Sequence, residues 1–271
     1  MTRGFPRRGI VPLQVFETTR CTSPSDCLPM TDLTTKEISE YYNSNEIADK
    51  YTKDAVKGLT DKEERAIDRY FHNDRGKVLD LGCGTGRTTA ALIEKGYDVV
   101  GVDLVDSYVE RARSMLPEPE FSVGDATALP FSDESFDYVL FSYNGIDHIA
   151  PEGERYQTLL EIRRTLKHGG LFVFSTHNHW FSVIFNPFSL QSIRETASFW
   201  SLNLHPRWLL SRYKRDNRIA GGPIPIYYIS PEKQKKQLRA CGFEVLDVVR
   251  EQSQLRRWFD PFPYYVARKT A

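Results

Sequence analysis

The stretch KVLDLGCGTGRTT, Lys77 to Thr89, constrains the fold of this chain more than any other. A short apolar run from Val78 to Leu81, interrupted only by Asp80, gives way to glycines at 82, 84 and 86. RTTAALIEKG follows, with Ala90, Leu92 and Ile93 at helical spacing and a stop at Gly96. The order is strand, tight loop, helix. Glycines there permit φ > 0 and let a ligand approach the backbone. The helix N-terminus aims unpaired N–H groups at whatever lies above the loop. A phosphate-binding P-loop is excluded, because the Gly-Lys-Ser/Thr ending is absent. A dinucleotide fingerprint fails too: the third glycine comes one residue early and Arg87 stands in its place.

Acidic residues at successive strand ends narrow the ligand. YDVVGVD ends at Asp103, about twenty residues beyond the start of the loop, where a carboxylate accepts hydrogen bonds from ribose hydroxyls. Asp125, in VGDATALPF, follows the short strand EFSV and can accept from an adenine amino group. Asp80 lies under the loop, where it repels a pyrophosphate and suits a ligand bearing an ammonium and a sulfonium. Three such acids fit a cationic adenosine ligand better than an anionic one.

Strands are expected near Val78–Leu81, Val99–Asp103, Glu120–Val123, Phe136–Ser142 and Leu171–Thr176, with helices between them. That alternation implies an α/β fold with a doubly wound, Rossmann-like parallel sheet. Helical patterns fill Thr31 to about His72, and PEKQKKQLRACGF, FEVLDVVR and PYYVARK read as a helix and two final strands. Between them, Asn178 to Ile229 is too long for a plain loop, rich in aromatic and basic residues, and set at the carboxyl edge of the sheet. It is expected to form a substrate cap. Residues 1–30 read as a disordered tail or leader, with Met30 as an alternative start, and 31–271 as one domain.

Lysine plus arginine equals aspartate plus glutamate, which argues against a globally basic nucleic-acid binder. No apolar run approaches the ~20 residues of a membrane span. Cys21, Cys27, Cys83 and Cys241 lack metal-site spacing and read as reduced thiols of a cytoplasmic protein.

VLDLGCGTG, GVDL, GDATALPF, FDYVLFSYNGIDHI and LKHGGLFVFSTHN, in this order, resemble the class I S-adenosylmethionine-dependent methyltransferases. The resemblance is to the small-molecule group that includes the ubiquinone and menaquinone enzymes. It covers Lys77 to about Asn178 closely. It implies a seven-stranded sheet with an antiparallel last strand inserted beside the sixth, N-terminal helices over the cofactor, and S-adenosylmethionine as that cofactor. By position, Asp80, Gly82, Cys83, Gly84 and Gly86 would hold the methionine end. Asp103 and Leu104 would hold the ribose, Asp125 and Ala126 the adenine, while Ser142 and Asn144 would line the sulfonium. Tyr51, from the N-terminal helices, is added to this set.

Methyl transfer needs an in-line nucleophile, and a general base only where the acceptor carries a proton to lose. His148 and His177, after two strand ends on the ligand edge, are the candidates for such a base. Asp147 neighbours His148, so their side chains are expected to diverge. No metal is assigned; a cluster of His148, His177 and His179 reads more readily as pocket-shaping histidines. The expected activity is transfer of a methyl group to a small molecule, with oxygen favoured over nitrogen because imidazoles stand near the site. The rival readings are an RNA methyltransferase using the basic insertion, and a cofactor-binding regulatory protein on the same fold.

Overall fold

The computed structural model describes residues 37, 38, 40–72, 76–182, 189–216, 223–251 and 260–270. The expectations for residues 1–30 lie outside the described residues.

Seven strands form the main sheet: β1 (Lys77–Leu81), β2 (Asp98–Asp103), β3 (Glu120–Val123), β4 (Phe136–Phe141), β5 (Leu166–Ser175), β9 (Phe243–Val249) and β10 (Tyr264–Lys269). Their spatial order is β3-β2-β1-β4-β5-β10-β9. The first five pair in parallel, with Asp80 opposite Gly101 on one side and Leu140 on the other. β10 lies between β5 and β9 and is antiparallel to both, as the resemblance implied.

The strands form because alternate residues find two separate apolar layers. Leu79, Val139, Phe141, Phe172, Phe174 and Tyr265 enter one buried cluster. Val78, Tyr138, Leu140, Val173, Tyr264 and Val266, their chain neighbours, enter the other. Both faces are therefore covered, as a parallel sheet requires.

The helices are α1 (Asn45–Asp54), α2 (Asp61–Tyr70), α3 (Arg87–Glu94), α4 (Asp106–Met115), α5 (Glu152–Thr165), α6 (Leu190–Asn203), α7 (Pro206–Leu210) and α8 (Pro231–Ala240). A reciprocal cap starts α2: Thr60 Oγ1 accepts from the Glu63 N–H, and Glu63 accepts from the Thr60 N–H at 2.6 Å. The described residues of the insertion form regular elements. They hold α6, α7 and a small sheet of β6 (His177–Asn178), β8 (Ile224–Ile229) and β7 (Tyr213–Asp216). Phe199, Ile224, Ile226 and Tyr228 share a core with Tyr41 and Ile47 from the N-terminal helical region. The insertion is thus joined by packing to α1 and the segment before it.

Candidate functional site

Above the carboxyl ends of β1, β2 and β4 lies a cavity of about 360 Å³. The glycine loop forms its floor. Gly82, Gly84 and Gly86 adopt φ of 65°, 55° and 94°. A side chain on Gly84 would meet no atom within 4 Å and would project into open space, so this backbone is bare on the ligand side.

Asp103, at the end of β2, is nearly buried and lines the cavity. Its Oδ2 accepts from the Gly84 N–H at 2.8 Å and its Oδ1 from the Val105 N–H at 2.9 Å. Burial raises its pKa, and those two backbone donors oppose the rise. The carboxylate therefore locks the loop while keeping lone pairs for a ligand. We expect Asp103→Ala to weaken S-adenosylmethionine binding by roughly 1.5–3 kcal/mol, about ten- to a hundredfold in Kd. Calorimetry checks this, and an unchanged Kd in the folded variant would remove Asp103 from the ribose site.

Asp125 lines the cavity at its outer edge and holds Thr127 through N–H and Oγ1, both at 2.8 Å. Leu104, Ala126, Tyr51, Cys83 and Ser142 also line it. Burial raises the Cys83 thiol well above its ordinary pKa, so it serves as a small neutral filler.

Asp80, Gly86, Asn144 and His177 are off the cavity wall. Asp80 is fully buried beneath the loop, and its Oδ2 accepts from Thr88 Oγ1 and Thr89 Oγ1 at 2.7 and 2.6 Å. It ties β1 to the first turn of α3. Burial raises it to about 6 against those two hydroxyls, and its Oδ1 has no hydrogen-bond partner. Asn144, with φ of 57°, shapes the turn after β4 and donates its N–H to Ser175 Oγ at 2.9 Å. Gly86 caps α3 from the left-handed region.

The two histidines separate. His148 lines the cavity, carried there by a 3₁₀ turn over Gly145–His148. Burial, reinforced by neighbouring His177, lowers its pKa to about 3, so its ring is neutral throughout the physiological range. Tyr42 meets it edge-on with ring centres 5.3 Å apart. His177 faces inward instead. Its Nδ1 lies 2.9 Å from Asp147 Oδ2, which also accepts the His177 N–H at 2.5 Å. Asp147 Oδ1 accepts from the fully buried Arg155 at 2.8 Å. Asp147 does diverge from His148, and it uses both oxygens to anchor the turn that presents His148. Among the described residues, no group of histidine, cysteine and acidic side chains could hold a metal ion.

Sequence reasoning missed a polar cluster beneath the cavity. Arg87 forks onto Glu63, with contacts of 2.8 and 2.7 Å, both groups buried. Ser142 Oγ donates to the same Glu63 and lies 3.0 Å from the Tyr264 hydroxyl. Burial pushes Glu63 up, but Arg87 more than offsets this and holds it below its ordinary range. The T-x-x-E signature from Thr60 to Glu63 marks the cap of α2; nothing in it names Arg87 as a partner. No described residue of the insertion lines the cavity. β8 packs on the His148 turn, behind the cavity wall.

A second cavity, of about 410 Å³, is lined by Asp133, Glu134, Leu160, Arg163, Arg164 and Lys269. Its charges are paired internally, Arg164 with Asp133 and Lys269 with Glu134.

Residues 78–170 match the methyltransferase domain family. The chain is 36% identical over 112 residues to a demethylmenaquinone methyltransferase of Renibacterium salmoninarum, covering 41% of this chain and 44% of that one. It is 40% identical over 88 residues to the demethylmenaquinone methyltransferase of Beutenbergia cavernae, covering 32% and 36%. The match thus spans less than half the length of these curated relatives. A Methanosarcina mazei protein solved as an S-adenosylmethionine-dependent methyltransferase superposes with a TM-score of 0.59 at 21% identity, over 79% of this chain and 99% of that one. Sheet order and glycine loop agree with the match of residues 78–170 to the methyltransferase domain family, and the likeness to the solved structure is one of fold.

Proposed function

We propose that the protein transfers a methyl group from S-adenosylmethionine to an oxygen of a small-molecule acceptor bound beside His148. One observation carries this reading: a single cavity joins the bare glycine loop, Asp103 and Asp125 to a neutral imidazole. The residues fit a cationic cofactor. Asp103 and Asp125 face the cavity, and the guanidinium of Arg87 on its wall is neutralised by Glu63. When bound, S-adenosylmethionine supplies an electrophilic methyl on a sulfonium. Gly84, Asp103 and Asp125 would hold it, with Tyr51 and Tyr108 closing one side.

On the acceptor side, Tyr42 and His148 position the nucleophile and exclude water. A ring with a pKa of about 3 is a weak base. It accepts a hydrogen bond from the acceptor hydroxyl and takes the proton only late, as the carbon–oxygen bond forms. The acceptor in the relatives' names, demethylmenaquinone, makes quinols the first class to try, and because its missing methyl belongs on a ring carbon, the label is to be located on carbon or oxygen in the product. The buried free thiols of Cys83 and Cys241 suit a reducing, cytoplasmic setting.

The test is purified protein with methyl-labelled S-adenosylmethionine and fractionated cell extract. Label is expected in the small-molecule fraction. Label in RNA would favour the nucleic-acid alternative, and tight cofactor binding without transfer to any fraction would favour a regulatory role.

The low pKa of His148 sets a further expectation. Between about pH 5 and 8 its charge does not change, so turnover should show no His148 limb at the free-imidazole value of about 6.5. His148→Asn should lower turnover by about a hundredfold with little change in cofactor Kd. A wild-type limb near 6.5 that vanishes in the variant would refute the buried, neutral imidazole.

A further inference from the structure

Among the described residues, two buried side-chain atoms without a hydrogen-bond partner belong to the cavity wall: His148 Nδ1 and Tyr108 Oη. The imidazole serves the acceptor side. The phenol sits in the first turn of α4, just beyond Asp103 at the end of β2. In the sheet, β1 separates β2, which leads to Tyr108, from β4, which leads to His148. Tyr108 therefore stands with Asp103, on the side away from the acceptor.

Packing fixes its ring. Tyr108 is only 3% exposed and forms one apolar cluster with Ala48 and Val105, with Tyr42 and Tyr51 packed against it. The ring centres of Tyr51 and Tyr108 are 5.9 Å apart. Arg111 ties α4 to α1, its Nη1 donating to Asp49 and Thr52 at 2.7 and 2.9 Å. The Thr85 hydroxyl of the glycine loop donates to the Tyr51 carbonyl at 3.0 Å. A phenol held in this way has little freedom left to lose when a ligand arrives.

The Tyr42 and Tyr51 hydroxyls are bonded to each other, whereas that of Tyr108 is left over. An unpaired buried hydroxyl costs free energy, and a phenylalanine would fill the same space without that cost. Burial, then nearby Tyr51 and Asp103, raise the Tyr108 pKa, so the phenol keeps its proton and is available as a donor. Each Asp103 oxygen accepts one backbone N–H and keeps a lone pair for a ligand hydroxyl. A hydroxyl that gives its hydrogen to Asp103 still has lone pairs of its own, and those need a donor.

We propose that Tyr108 Oη donates to a ribose hydroxyl of the bound cofactor, on the diol that Asp103 accepts from, and so makes the site select a ribonucleoside over its deoxy forms. The inference rests on the placement of the ribose at Asp103.

Calorimetry with S-adenosylhomocysteine tests it without turnover. Tyr108→Phe should weaken binding about tenfold. Its unfolding midpoint in urea should stay where it was or rise, because the lost hydroxyl has no partner within the protein. The 2′-deoxy and 3′-deoxy forms of the same ligand locate the contact. On one of them the gap between wild type and Tyr108→Phe should close to within about threefold, since the hydroxyl that Tyr108 meets is then gone. A change under about threefold with the full ribose would overturn the proposal and leave water as the partner of the phenol. A gap of about tenfold kept on both deoxy ligands, or a lowered midpoint, would overturn it too. Weakening by Asp103→Ala but not by Tyr108→Phe removes this inference alone, whereas no binding by the wild type removes the cofactor site and this inference with it.

Discussion

Glu63→Ala should destabilise the protein by about 3–5 kcal/mol, because it leaves the Arg87 guanidinium buried without its counter-ion. It also removes the acceptor shared by Ser142 and Tyr264 and one half of the α2 cap. Urea unfolding measures the effect. The double variant Glu63→Leu, Arg87→Met should recover more than half of the loss, since no charge is then stranded. A loss below about 1 kcal/mol for Glu63→Ala would show that water reaches Arg87 and that the pair is not the keystone its burial implies.

Gly84→Val should abolish cofactor binding, with Kd rising at least about a hundredfold. The position has φ of 55°, and a side chain there would occupy the cavity and not a neighbouring residue. A branched residue at such a φ costs on the order of 1–3 kcal/mol of stability, which the fold is expected to survive. Calorimetry on the folded variant separates the two effects. Gly84→Ala should fall between wild type and Val. Cofactor affinity within about threefold of wild type in Gly84→Val would place the ligand elsewhere.

The seven-stranded core was legible in the sequence because its signals are local. Burial on both faces of β1, β4 and β5 writes itself as short apolar runs, and the loop after β1 has glycine at each left-handed position. The site was legible only where the chain itself fixes direction. Asp103 ends a strand and lines the cavity as expected from its place. Asp80 ends one too, yet two threonine hydroxyls from α3 turn it under the loop. His148 and His177 look alike as residues after strand ends. What separates them is Asp147, whose Oδ1 is held by Arg155 and whose Oδ2 draws His177 inward. Glu63 was invisible for the same reason: its partners Arg87, Ser142 and Tyr264 lie far along the chain, and no period or spacing joins them. Of the insertion's aromatics, Phe199 and Tyr228 are buried in a core shared with Tyr41 and Ile47, while Trp180 is exposed.

The place of β10 bears on how the molecule is made. It is the last of the seven strands in sequence, but it sits inside the sheet, between β5 and β9. During synthesis, β5 therefore waits with one edge unpaired, and β9 has no sheet to join, until Tyr264–Lys269 has emerged and slotted between them. Tyr264 then brings its hydroxyl to Glu63, some two hundred residues earlier in the chain. The polar cluster of Glu63, Arg87 and Ser142 is thus completed late. Until then the open β5 edge of a nascent chain is the surface a chaperone has most reason to cover.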